Sequence, residues 1–267
     1  MRNFKKVLVA ILLLFTPFVV FAGLTQSTPN RIALVIGVSE YRNAAKLGNS
    51  VNDARDIAAA LGKLGFQVDL KLNVTYIELK NAVNDFVSNL EADPEKEGFF
   101  WFAGMGVQIN NVNYLMPIDV DVRNERNMIR SSYRMDELTD SVADAGNKIN
   151  VLIVDACSNN PFSSSHRGIT GSGLSISSQI PTDIFFMLSA SPGQAAADGA
   201  PGERNSPFAA AFLNNITKPE PLQMLVLDIV KETLEKTNGT QKPYYQSYLL
   251  NNKTYSLGSS TSAGGSR

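Results

Sequence analysis

Cys157 is the only cysteine in the chain, and it stands where an apolar run breaks into a polar loop. The run is Val151-Leu152-Ile153-Val154-Asp155-Ala156, and Ser158 and Asn159 follow the cysteine. A short apolar run bounded by turn formers predicts a buried strand, and catalytic groups of open α/β sheets gather at the carboxyl ends of such strands. The position therefore favours a sulfur nucleophile. The alternative is that Cys157 is a small buried hydrophobe, as a lone cysteine often is.

The N-terminus has the composition of a secretory signal peptide, predicted over residues 1–22. Basic residues precede an apolar stretch from Val7 to Val20, and Val20-Phe21-Ala22 offers small residues at the spacing that a signal peptidase cleaves, before Gly23. The basic residues are Arg2, Lys5 and Lys6. The mature chain is therefore expected to be exported, to the periplasm or out of the cell. The alternative is an uncleaved membrane anchor, for which about 20 apolar residues are needed, and this stretch is shorter.

The composition argues against several classes of function. The chain has 24 Lys and Arg against 25 Asp and Glu, a formal net charge of -1, and loss of the signal would make it more acidic. Such a surface gives no case for nucleic acid binding. One cysteine cannot form an internal disulfide, and one histidine argues against a zinc site. No metal and no cofactor are expected.

Strand-like and helix-like patterns alternate along the chain, which predicts a mainly parallel sheet with helices on both faces. Strands are predicted over Arg31–Val38, Phe66–Leu72, Gly98–Ala103, a run that ends at Asp155, Asp183–Ser189 and Tyr245–Leu250. Helices are predicted over Asn52–Leu64, from a Thr75 cap to Leu90, and over Met135–Ala145, Pro207–Asn214 and Leu222–Lys236. The long loops Ser158–Ser178 and Ser191–Ser206 are unusual in a compact domain unless they serve a site. Residues 258–267 are rich in Gly and Ser and predict a flexible tail.

Several short motifs, in order, resemble those of bacterial caspase-like proteins, including the metacaspase branch. A large-subunit-like part, about 31–162, carries Ile32-Ala33-Leu34-Val35-Ile36-Gly37 with Tyr41, Asn49-Ser50-Val51-Asn52-Asp53-Ala54, Phe102-Ala103-Gly104-Met105-Gly106-Val107-Gln108, Asn113-Tyr114-Leu115 with Pro117, and Asp155-Ala156-Cys157 with Asn159-Asn160-Pro161-Phe162. After a connecting loop of about 163–178, a small-subunit-like part, about 179–257, carries Ser191-Pro192-Gly193-Gln194, Asp198-Gly199 and Asn205-Ser206-Pro207-Phe208. The resemblance implies one caspase-like domain over 23–257, an α/β three-layer sandwich with a mainly parallel central sheet.

The resemblance also implies a His–Cys catalytic dyad at the ends of neighbouring strands, and the chain departs from it at one member. Cys157 matches the nucleophile, whereas Met105 occupies the position of the His. A thioether carries no exchangeable proton, so Met105 can neither activate the thiol nor protonate a leaving amine, a loss of about 10² to 10⁴ in rate. The backbone N–H groups of Gly106 and Cys157 match the family's oxyanion hole, which the substitution leaves in place.

A replacement base would have to come from elsewhere in the chain. The only histidine is His166, in the Ser-rich loop that follows Cys157. It is either a relocated base or simply solvated, and a Ser/Gly loop holds a catalytic group poorly. Tyr41, Tyr114 and Tyr133 are other conceivable donors, each with an ordinary pKa of about 10 and each with a packing explanation.

Resemblance to the metacaspases implies a pocket that selects Arg or Lys, formed by Asp53, Asp155 and Ser50. Carboxylates are natural partners for a guanidinium group. Residue chemistry alone leaves two structural explanations open, since Asp53 suits the first turn of a helix and Asp155 could accept hydrogen bonds from loop N–H groups. Arg167 falls where relatives are cut, which makes it a candidate processing site or an ordinary exposed Arg.

The sequence thus predicts an exported pseudo-peptidase that binds a basic peptide or protein segment without cutting it. The alternative is an active Arg/Lys-specific cysteine endopeptidase with a relocated base, and a third hypothesis is an inert scaffold. No nucleic acid partner is expected, nor a membrane partner after signal cleavage. Calcium stimulation, which occurs in some metacaspases, stays open, although the acidic residues Asp119, Asp121, Glu125 and Asp136 form no recognisable ion loop.

Overall fold

A computed structural model describes residues 30–157, 174, 181–192 and 194–258. The predicted signal peptide, the tail beyond residue 258 and most of the connecting loop, with His166 and Arg167, lie outside the described residues. The strands are β1 (Arg31–Gly37), β2 (Gln67–Leu72), β3 (Glu97–Ile109), β4 (Val112–Leu115), β5 (Tyr133–Arg134), β6 (Ile149–Cys157), β7 (Ile184–Leu188) and β8 (Tyr244–Ser247). The helices are α1 (Ser50–Lys63), α2 (Tyr76–Glu91), α3 (Glu125–Arg130), α4 (Met135–Asp144), α5 (Pro207–Asn215) and α6 (Leu222–Lys236).

The central sheet has the strand order β2-β1-β3-β6-β7-β8. Its first five strands are parallel and β8 is antiparallel to β7, while β4 and β5 extend the end of β3 as an antiparallel meander. Helices cover both faces, so the predicted three-layer α/β architecture is confirmed. Within the described residues, no helix has the length and apolar character needed to cross a bilayer.

Each face of the sheet carries its own apolar core. One core packs α2 and α4 against the sheet, through residues such as Phe86 and Leu138. The other packs α1, α5 and α6, and there Trp101 of β3 stacks on Phe208 of α5 with ring centroids 5.8 Å apart. Strands buried on both faces need continuous apolar runs, which explains why β3 and β6 contain so few polar residues.

Most predicted elements agree with the structure to within a few residues. Helix α6 has the predicted bounds, and Thr75 caps α2 in a reciprocal capping box with Glu78. Helix α1 begins earlier than predicted, at Ser50, and its N-cap Asn49 makes no side-chain cap bond. Strand β3 continues beyond Ala103 to Ile109 because it turns back into β4, a hairpin that the sequence analysis missed.

Gly37 is required where β1 ends against α1. A Cβ at this position would lie 2.6 Å from Cβ of Ala54 and 2.7 Å from the carbonyl oxygen of Ser50. We therefore expect Gly37→Ala to lower the free energy of unfolding by about 1–3 kcal/mol and to displace the helix that carries Asp53. Denaturant unfolding measures this. The matched control is Gly62→Ala in the same helix, where nothing lies within 4 Å of the added carbon, and it should stabilise by about 0.5–1 kcal/mol. Equal effects of the two substitutions would contradict this account.

Candidate functional site

Met105 and Cys157 lie directly opposite each other at the ends of neighbouring strands. They are partners in the parallel register of β3 and β6. Both side chains are buried, at 2% and 6% exposure, and they belong to one packed cluster with Ala156 and Leu174. The side chain at position 105 is therefore the neighbour of the thiol, and that neighbour is a thioether.

The backbone of Met105 is held by Tyr41. The N–H of Met105 donates to the phenol oxygen of Tyr41 at 2.6 Å, and this phenol donates to the carbonyl oxygen of Met116 at 3.3 Å. The N–H of Met116 in turn donates to the carbonyl oxygen of Met105 at 3.0 Å. Burial raises the pKa of Tyr41 far above its ordinary value. A neutral phenol committed to two backbone groups is a positioning group rather than a base.

Tyr114 and Tyr133, the other conceivable donors, lie in the meander. They are buried on β4 and β5, two strands that pair with each other. Burial raises the pKa of Tyr114 and raises that of Tyr133 to about 12. These buried positions favour a packing role for Tyr114 and Tyr133 over a role as proton donors.

The thiol of Cys157 sits in an acidic environment. Burial, and after it the negative charges of Asp155, Asp198 and Asp53, raise the pKa of Cys157 well above its ordinary value. Reactive cysteines lie in electropositive, partly exposed surroundings that stabilise the thiolate. The surroundings of Cys157 are instead acidic and buried, so the resting group is a neutral thiol.

Asp53 and Asp155, predicted from separate motifs, come together beside the thiol. Asp53 lies in the first turn of α1 and Asp155 near the end of β6, and their exposures are 1% and 3%. Ser206 contacts both, since its N–H donates to Oδ1 of Asp53 at 3.0 Å and its hydroxyl donates to Oδ2 of Asp155 at 2.6 Å. Ser50, the third predicted pocket residue, is buried in the same first turn of α1. A pair of buried carboxylates is suited to bind a single cationic side chain.

The segment of residues 194–206, here the 194–206 loop, closes over the start of α1. The carboxylate of Asp198 accepts hydrogen bonds from the N–H groups of Gly48 and Asn49. Arg204 forms a two-pronged ion pair with Asp56, with both N–O distances 2.7 Å. In the sequence, Asp198 and Ser206 belong to motifs that resemble the family, and no role in the pocket was predicted for either residue. Ser206 followed by Pro207 is a helix-start signal, but a helix start does not reveal which carboxylates it will face.

Gly106 is closely packed against Ala156 and Leu174. A Cβ on Gly106 would lie 2.9 Å from Cβ of Ala156 and 3.0 Å from Cδ2 of Leu174. Ala156, Leu174 and Ser189 help to line a cavity of about 10 Å³, roughly the space for one water molecule. A larger cavity of about 610 Å³ lies elsewhere, between the edge strand β2 and α2. The oxyanion-hole assignment of Gly106 stays a prediction.

The acidic residues named above as possible calcium ligands each form a hydrogen bond or an ion pair within the protein. Asp119 accepts from the N–H of Tyr76 at 2.8 Å, and Asp121 and Asp136 form ion pairs with neighbouring arginines. Glu125 accepts from the side chain of Asn110 at 3.4 Å. In the described ranges, no three His, Cys, Asp or Glu side chains converge as metal ligands do.

A family model matches most of this chain. The family model described as "Caspase domain" matches residues 30–255. The human mucosa-associated lymphoid tissue lymphoma translocation protein 1 is 31% identical over 90 residues, which are 34% of this chain but only 11% of that protein. The chain therefore spans a small part of the length of this curated relative.

Solved structures show the same fold. Caspase-1 from Spodoptera frugiperda superposes with a TM-score of 0.58 at 15% identity, over 89% of this chain and 96% of that one. The Drosophila initiator caspase Dronc superposes with a TM-score of 0.57 at 14% identity, over 86% of this chain and 84% of that one.

Proposed function

Because this chain belongs to the caspase-domain family, and so carries a caspase-like peptidase domain, we propose that it is a receptor for basic peptide or protein segments that has lost the family's cleavage chemistry. One observation carries the proposal. The register of β3 and β6 puts Met105 beside Cys157, where the chemistry needs a proton acceptor. The neutral, buried thiol in acidic surroundings supports the same conclusion, because the described groups that act on it all raise its pKa.

The ligand side of the proposal rests on Asp53 and Asp155. Their carboxylates lie within hydrogen-bonding reach of the same residue, Ser206, and both are almost fully buried. Buried carboxylates that lack a cationic partner are costly to the fold, and an incoming Arg or Lys side chain would supply that partner. We place the receptor in the periplasm or outside the cell on the strength of its N-terminal sequence.

The test measures peptide binding and amide hydrolysis with the same preparation of the protein. Three matched peptides carry Arg, Lys or citrulline at one position, citrulline being the neutral isostere of Arg. Calorimetry should detect binding of the Arg and Lys peptides and none of the citrulline peptide. Fluorogenic Arg and Lys amides should show no turnover that depends on Cys157.

Turnover of these amides that disappears in Cys157→Ala would overturn the proposal. If His166→Ala abolished that turnover as well, the chain would be an active endopeptidase with a relocated base. In that case processing at Arg167 would also be expected. Equal binding of the Arg and citrulline peptides would remove the role of the two carboxylates.

A further inference from the structure

Ser206 links the two pocket carboxylates through a fixed set of donors. Its hydroxyl accepts the N–H of Ala209 at 2.9 Å as the N-cap of α5, so its one proton is directed to Oδ2 of Asp155. Its own N–H donates to Oδ1 of Asp53, and the side-chain amide of Asn205 donates to the same oxygen at 3.0 Å. Both carboxylates are thus held from the side of the 194–206 loop.

The opposite end of the pair is less well satisfied, although the side chain of Ser189 also hydrogen-bonds to Asp155 and lowers its pKa. Oδ1 of Asp155 is buried and has no hydrogen-bond partner in the part of the chain that the structure describes. An unsatisfied buried carboxylate oxygen is costly, because it has lost water and gained nothing in exchange. A proton or a ligand that binds in the working state is one way in which such a group becomes satisfied.

The charges that surround the pair are mostly negative. From α1 come Asp53 and Asp56, and from β6 come Asp155 and Cys157. The 194–206 loop adds Asp198 and Arg204, and Arg204 is engaged by Asp56 on the exposed rim. Helix α5 adds no titratable side chain. Among these groups, Arg204 is the one cation, and its guanidinium bonds to Asp56 rather than to either pocket carboxylate.

Two buried carboxylates so close together resist double ionisation. Burial, and then the charge of Asp155, raise the pKa of Asp53 to about 8. Burial raises the pKa of Asp155 to about 6, and the charge of Asp198 acts in the same direction. Because the two groups interact, the protons belong to the pair rather than to either residue. Near neutral pH the empty pair therefore holds a proton.

We propose that ligand binding at this pocket is coupled to proton release: a basic side chain enters as the Asp53–Asp155 pair loses its proton, so that affinity rises with pH. The proposal rests on the function proposed above. The exchange is balanced, since the pair gives one proton to solvent and accepts one guanidinium or ammonium group in its place. The pocket then acts as a receptor that retains its ligand at neutral or alkaline pH and releases it in acid.

The test is calorimetric titration of the full chain with an Arg-containing peptide between about pH 5 and pH 9, in buffers of different ionisation enthalpy. The association constant should rise by up to about tenfold per pH unit and then level off, and up to about one proton should be released per peptide. Binding that is independent of pH, without proton release, would overturn the coupling and leave the receptor function intact. Absence of binding at every pH would instead defeat the receptor function itself.

Two variants should shift the pH profile in opposite directions. Asp155→Asn removes the repulsion that raises the pKa of Asp53, so the midpoint of the profile should move to lower pH. Ser206→Ala removes a hydrogen bond that lowers the pKa of Asp155, so the midpoint should move to higher pH. Asp140→Asn, on the exposed face of α4, is the control and should keep the native profile. Shifts in the same direction would contradict the proposal, because general loosening of the pocket has no reason to change sign.

Discussion

Met105→His should create Cys157-dependent cleavage of Arg and Lys amides that the native chain lacks. The register of β3 and β6 puts residue 105 next to the thiol, so an imidazole there would be the neighbouring side chain. An imidazole can accept the thiol proton and return it to the leaving amine, which contributes about 10² to 10⁴ in rate. The backbone of residue 105 is already fixed by Tyr41, so the new ring would start from an ordered main chain. We expect kcat/KM for an Arg amide to rise by at least about 10² over background.

Two controls distinguish catalysis by the imidazole from an effect of general loosening of the site. Met105→Leu keeps an apolar side chain of similar volume and should remain inactive. Met105→His combined with Cys157→Ala should lose all gained activity. If Met105→His folds, binds the Arg peptide and still fails to cleave, then the missing base is not what makes the site inactive. The acidic surroundings that raise the pKa of Cys157 would then be the stronger block.

The fold could be predicted from the sequence where local pattern and tertiary environment agree. Helix α6 has a clear apolar stripe, and Leu222, Val226 and Ile229 of that stripe lie in the core, so its bounds were predicted correctly. The β3–β4 hairpin was missed because Gly104, Gly106 and Gln108 interrupt the apolar run after Ala103, where the predicted strand ends. A signal was present in Asn110-Asn111, since both residues adopt positive φ, at 51° and 63°, as two-residue hairpin turns require.

The sequence pointed to residues that the structure brings together, but it did not predict the hydrogen bonds that connect them. The family resemblance implied that Met105 and Cys157 lie at the ends of neighbouring strands, and the register of β3 and β6 pairs these two residues. The part played by Ser206 depends on where α5 begins relative to α1 and β6, which is set by packing of Phe208 and Phe212 on the sheet. No local pattern in Asn205-Ser206-Pro207 specifies that the same Ser will face two carboxylates.

The stability of the ligand-free chain should fall as the pH rises from about 4 to about 8. The folded-state pKa values of Asp53 and Asp155 are raised to about 8 and about 6, above the 3.8 of an ordinary Asp. In this window the folded chain holds protons that the unfolded chain has released, so a rise in pH favours unfolding. The acids with lowered pKa, such as Asp56 and Asp136, act in the other direction only at lower pH, where they become protonated. We expect a loss of up to about 7 kcal/mol across the window, measured by denaturant unfolding at several pH values.

Asp155→Asn should flatten this pH dependence and make the chain more stable than the native protein at pH 8, by roughly 1–3 kcal/mol. The amide carries no charge to repel Asp53, and its oxygen can still accept the hydroxyl of Ser206. Asp140→Asn, which changes an exposed acid on α4, should follow the native curve. A native curve that is flat or rising between about pH 5 and pH 8, or an Asp155→Asn curve parallel to it, would contradict a protonated buried pair. A stability gain at pH 8 that accompanies weaker binding of the Arg peptide would mean that the two carboxylates are retained for recognition at a cost to the fold.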